Sequence, residues 1–154
     1  MRSPTMTFII NFLFSMFSTI TFGIITNIPR RAFFTCGLTG ATGWMTFWIL
    51  QTYCHQNIGI SNFLGALMIG LMSILFSRKM HMPVIVFNVP SLVPLVPGGP
   101  AFMAVRYMMD QKFTESMEKV VTVLVTAGAI ALGFMFTNLI ERALKRTRSN
   151  FQPK

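Results

Sequence analysis

Residues 32–77 read AFFTCGLTGATGWMTFWILQTYCHQNIGISNFLGALMIGLMSILFS, 46 positions without one Asp, Glu, Lys or Arg. A helix needs about 20 apolar residues to cross the ~30 Å hydrocarbon layer. The stretch therefore reads as two spans, 32–52 and 58–76, joined by the polar, uncharged turn Tyr53-Cys54-His55-Gln56-Asn57. Arg30 and Arg31 stand before it, and Arg78 and Lys79 after it, as headgroup anchors. Further out lie three more charge-free blocks, 3–29, 80–105 and 120–140, of 27, 26 and 21 residues. Only 11% of the chain is charged and 53% is hydrophobic, against about 25% charged in a soluble domain. The expected fold is one all-α integral membrane domain. About five transmembrane segments fall at about 8–28, 32–52, 58–76, 83–109 and 120–140, with a basic cytoplasmic tail over 141–154. A soluble enzyme, a disordered tail and a disulfide-stapled secreted domain are excluded.

The net charge of +9 does not line one face, as a nucleic-acid footprint would. It clusters at block edges, which is the pattern of orientation by cytoplasmic charge. The first block is too long for the apolar core of a secretory signal, and no small-residue cleavage pattern follows it. Gly37, Gly40 and Gly43 recur every three residues, as in a tight helix–helix seam in lipid, with Trp44 and Trp48 beside them. Ala127/Ala131 and Ala129/Gly133 give small-residue pairs in the last span. Cys36 and Cys54 are 18 positions apart, roughly 27 Å along a helix. That excludes a bridge and leaves two buried, inert thiols as the expectation. His55 and His81 lack partners at metal-ligand spacing, no phosphate-binding loop occurs, and no cofactor or metal is expected.

The block from Met82 to Pro100 carries five prolines between 83 and 100. Proline removes a backbone donor and clashes with the carbonyl four residues back, so this segment is expected to break near 97–100. A second half-helix would start at Pro100, with Phe102, Val105 and Met109 on one face and Arg106 and Asp110 paired at i, i+4. With five crossings and the tail inside, nine Lys and Arg lie inside and four outside; a re-entrant fourth block gives seven against six. The bias favours a crossing with the N-terminus outside. Non-helical backbone at membrane depth is tolerated only where protein or a water-filled cavity surrounds it, and transporters use such breaks as sites. Pro94, Pro97, Gly98, Gly99, Arg106 and Asp110 are the candidate substrate-pathway residues. Arg106 is a cation for a carboxylate, and Asp110 its counter-charge.

Three runs carry a family resemblance: Asn27-Ile28-Pro29-Arg30-Arg31-Ala32, Cys36-Gly37-Leu38-Thr39-Gly40-Ala41-Thr42-Gly43-Trp44, and Val93-Pro94-Leu95-Val96-Pro97-Gly98. Together they resemble the threonine/serine exporter family, in particular its small (YjjB-like) half, over nearly the whole chain. The resemblance implies export of small amino acids or dicarboxylates such as succinate, with Pro94, Pro97 and Gly98 as motif residues. It also implies a larger YjjP-like membrane subunit as partner. The expected function is thus the small subunit of a two-component secondary exporter in the cell membrane. The expected contacts are a small carboxylate solute and membrane lipids, not nucleic acid. The alternatives are a non-transporting scaffold subunit and a homo-oligomeric pore.

Overall fold

The apolar blocks become helices laid side by side. The computed structural model describes residues 4–149, with side chains from 5 to 143. Helix α1 (Pro4–Ile25) leads through a short 3-10 turn at Arg30–Ala32 into α2 (Phe33–Thr52), then α3 (Ile58–Met80). Helix α4 (Ile85–Ser91), a 3-10 turn at Val93–Leu95 and α5 (Gly98–Met109) follow, and α6 (Phe113–Ser149) closes the chain. No strand occurs among the described residues.

Helices α1, α3 and α6 are long and apolar enough to cross a membrane. The α4–turn–α5 segment is bent by 50° and makes a fourth span if taken as one. That is three to four spans by length and composition, against the five expected. The difference lies in α2. Its 20 residues are enough, but they include five threonines, three glycines and Gln51, which dilute its apolar character. Three of the threonines are satisfied within the helix. Thr39 Oγ1 donates to Thr35 O at 2.8 Å, Thr42 Oγ1 to Thr39 O at 2.8 Å and Thr46 Oγ1 to Thr42 O at 2.9 Å.

Contacts fix the topology. Trp44 meets Asn11, while Gly37 faces Ile20 and Gly40 faces Thr19, so α2 runs antiparallel to α1. Gly43 faces Ile69 and the carbonyl of Gly65, and Thr35 meets Met80, so α3 is antiparallel to α2. Gly59 faces Val125, Gly133 faces Ala66, and Gly70 faces Thr137, so α6 lies parallel to α3. Ser116 Oγ donates to Ala104 O at 2.7 Å, closing α5 and α6 into a hairpin. One end of the bundle therefore collects Arg30, Arg31, Arg78, Lys79 and Arg142, and the other collects Cys54, Asp110, Lys112, Glu115 and Glu118. Lys145, Arg146 and Arg148 fall on the last turns of α6, beyond the described side chains, and Arg2 and Lys154 lie outside the described residues.

Burial is inverted relative to a soluble domain. Ser15, Thr19, Ser61, Asn62, Ser116, Thr126 and Thr137 are buried, whereas Phe14, Phe17, Leu124 and Met135 point outward. Polar groups inside and apolar groups outside suit a surrounding lipid, where small and hydroxylic residues make the helix contacts. Two cores result. Ala66, Ile69, Leu95 and Ile130 form the central one, and Ala32, Cys36 and Phe87 form one near the basic end. Among the described residues, four turns that follow helices hold a non-glycine residue with left-handed backbone: Asn27, His55, His81 and Gln111. His81 shows how. Its N–H and that of Met82 both return to Ser77 O, capping the last carbonyls of α3. His55 is thus a turn residue.

The seams tolerate little extra volume. A Cβ at Gly40 would collide with the Thr19 hydroxyl, whereas one at Gly128 meets nothing within 4 Å. Gly40→Leu is expected to destabilise the bundle by about 1–3 kcal/mol through overpacking. Gly128→Ala is expected to stabilise it by up to about 1 kcal/mol through helix propensity. Thermal melting in detergent checks both signs.

Candidate functional site

Three prolines dismantle one helix in sequence. Pro90 sits inside α4 and has no N–H for the carbonyl of Val86. The Cys36 thiol donates to that oxygen instead, at 3.4 Å. One turn on, Ser91 Oγ donates to Cys36 O at 3.1 Å, locking α4 to α2. Past Leu92 the backbone tightens, with Leu95 N–H on Leu92 O at 2.9 Å, and then opens at Val96, whose ψ is 129°. Gly98 N–H closes on Val96 O at 2.8 Å, and Ala101 N–H on Pro97 O at 3.1 Å.

The break therefore spans residues 92–97, earlier than the expected 97–100. Gly98, Gly99 and Pro100 form the first turn of α5, because proline is tolerated there: the N–H it lacks would have had no helical partner. The first-turn donor that remains is Gly99 N–H. Leu95 plugs into the central core against Gly65. Gly65 in turn faces Gly43, near the middle of α2. The break thus lies within the bundle, and its cavity reaches toward the Cys54 end as far as Ile58, the first residue of α3.

A cavity of about 200 Å3 opens beside it, lined by Pro94, Val96 and Pro97 on the break and Pro100 in the first turn of α5, with Trp44, Ile58, Asn62 and Thr126 across from them. Its walls are mainly apolar. Asn62 spends one amide hydrogen on Ile58 O at 2.8 Å, and Thr126 Oγ1 donates to Thr122 O at 2.8 Å. No acidic or basic side chain lines it. Among the described residues, no group of His, Cys, Asp and Glu could hold a metal ion.

The sequence-derived site residues divide. Pro94 and Pro97 line this cavity. Gly98 and Gly99 stand at its rim, exposed, with open space where a Cβ would be. Arg106 and Asp110 do not reach it. Both are exposed on the far half of α5, and no ion pair joins them; the expected pairing is absent. The spacing was right for a helix, but Asp110 is its C-terminal cap, where the backbone leaves helical geometry. Phe102, Val105 and Met109 do share an outward face. Gly37, Gly40 and Gly43 lie against α1 and α3 and do not line the cavity. Cys36 is buried as expected, but Cys54 is exposed, because its loop lies outside the bundle.

Charge counting passed over Asn11, Asn62 and Thr126. Their signal was present: an asparagine within an apolar span has no water to satisfy it and must find protein or a cavity.

A family model described as Threonine/Serine exporter, ThrE, matches residues 11–140. The chain belongs to the threonine/serine exporter family. It is a multi-pass membrane protein with the export function of that family, which is a transporter family and not an enzyme family. No solved structure matches the chain.

Because Arg106 and Asp110 make no ion pair, Arg106→Gln and Asp110→Asn are expected to shift the melting temperature additively in this exporter. A double-mutant cycle measures it, and a clear coupling would show that the pair forms in the membrane.

Proposed function

We propose that this chain is the small subunit of a two-component secondary exporter in the plasma membrane, and that its cargo is a small carboxylate-bearing solute such as threonine, serine or succinate. The observation that carries the reading is the helix broken inside the bundle beside a cavity with polar points at Asn62 and Thr126. The start of α5 there brings the positive end of a helix dipole and the Gly99 N–H to the cavity rim. That combination favours a carboxylate without a buried basic residue.

In this reading the chain crosses the membrane five times. Helix α2 is carried by its neighbours rather than by its own hydropathy, and the broken segment is the fourth crossing. The basic end faces the cytoplasm, following the excess of Lys and Arg there. Asp110, Glu115 and Glu118 stand at the opposite end. A coupling ion would therefore be handled by a group outside this cavity, and a larger YjjP-like partner subunit is where it belongs. The outward apolar face of α5 (Phe102, Val105 and Met109) is available to lipid or to that partner.

Two outcomes test this. Gly99→Leu is expected to cut threonine efflux from cells at least about tenfold, about 1.4 kcal/mol of barrier, while the melting temperature holds, since the added side chain meets nothing within the chain. Unchanged efflux would remove the cavity from the path. A membrane-impermeant maleimide is expected to label Cys54 in intact cells and leave Cys36 untouched; labelling of Cys54 only after lysis would invert the orientation.

A further inference from the structure

Asn11 and Trp44 meet at a depth where neither side chain is easily accommodated. Tryptophan in membrane proteins gathers at the interfaces, and a buried indole N–H needs an acceptor. Trp44 adjoins Gly43, which faces the middle of α3 at Ile69, so its indole lies far from either interface. Its Nε1–H donates to Asn11 Oδ1 at 3.2 Å. The amide nitrogen of Asn11 donates in turn to Thr7 O at 2.9 Å, so the amide is held from both sides. The indole leans on Phe47, with ring centroids 5.2 Å apart and planes 37° from parallel.

This half-buried indole borders two hollows. On the α1 side is a second cavity of about 180 Å3, lined by Asn11, Phe14, Ser15, Trp44 and Pro94. On the other side is the cavity of about 200 Å3 at the break, which Trp44 and Pro94 also line. Both hollows are open to the surface of the bundle, and Trp44 and Pro94 line both of them. Pro94 is fixed by its ring in the 3-10 turn, whereas an indole turns about two side-chain torsions.

The geometry points to Trp44 as a size-selecting partition in the solute path, held in place by Asn11. This rests on the exporter reading above. A solute passing from one hollow to the other displaces the indole from Asn11, and the width opened sets the largest side chain that passes.

The test is efflux of radiolabelled threonine and phenylalanine from the native cells, comparing wild type with Trp44→Ala, Trp44→Phe and Asn11→Ala. Trp44→Ala is expected to raise the phenylalanine-to-threonine efflux ratio by about fivefold or more. Trp44→Phe keeps the ring but loses the N–H, so it and Asn11→Ala should each raise the ratio by a smaller, similar factor, and the double variant by no more than either. These two milder variants carry the test if Trp44→Ala fails to give a folded peak in gel filtration. In a Trp48→Phe background, Trp44 is the sole fluorophore of its kind, and added threonine is expected to shift its emission. If all fluxes fall in proportion and the emission stays fixed, the partition is overturned and the exporter reading stands. If the wild-type protein exports no carboxylate solute at all, both fall.

Discussion

A helix interrupted inside hydrocarbon leaves carbonyl oxygens that no water can satisfy. This constraint organises the protein. Pro90 strips Val86 O of its helical donor, and the Cys36 thiol supplies another. Ser91 returns a hydroxyl to the carbonyl of Cys36 itself. Helix α2 must lie close to the break for these bonds to form. It is therefore held by small residues on both sides, with Gly40 against Thr19 and Gly43 against Ile69. Neither contact survives a larger side chain at those positions.

The same constraint explains why α2 is the least lipid-like of the long helices. Its threonines return their hydroxyls to the preceding turn, so they add width and polarity without orphaned groups. Most of the apolar load falls on α1, α3 and α6, which carry many of the outward-facing Phe, Leu and Met side chains. Leu95, at the break, reaches back to join Ala66, Ile69 and Ile130. The interruption is thus both the least regular part of the backbone and an anchor of the central core.

Charge-free blocks made the helices and the membrane setting legible, because the lack of Lys, Arg, Asp and Glu over 20 or more residues has few other physical causes. The proline run marked the broken segment, and the Pro-Leu-Val-Pro-Gly stretch pointed to the family. The limits of the break were less legible. Proline's effect falls on the residue four positions earlier and is lost in the first turn of a helix, so Pro97-Gly98-Gly99-Pro100 looked like the interruption when most of it is the start of α5. The Arg106–Asp110 pair failed because helical spacing says nothing of a cap that turns away. Asn11 and Trp44 sit 33 positions apart, a separation no local pattern links.

The short helices also bear on how the chain is made. Helix α4 has 7 residues and α5 has 12, roughly 10 and 18 Å. Neither reaches across ~30 Å of hydrocarbon alone. As the polypeptide leaves the ribosome, these two pieces gain nothing by partitioning into lipid singly. They enter stably only once α2 offers α4 a donor and an acceptor at Cys36 and once α6, tied to α5 through Ser116 and Ala104, draws the hairpin in. Biogenesis is therefore coupled across the chain, and the broken segment depends for its place in the bilayer on helices both before and after it.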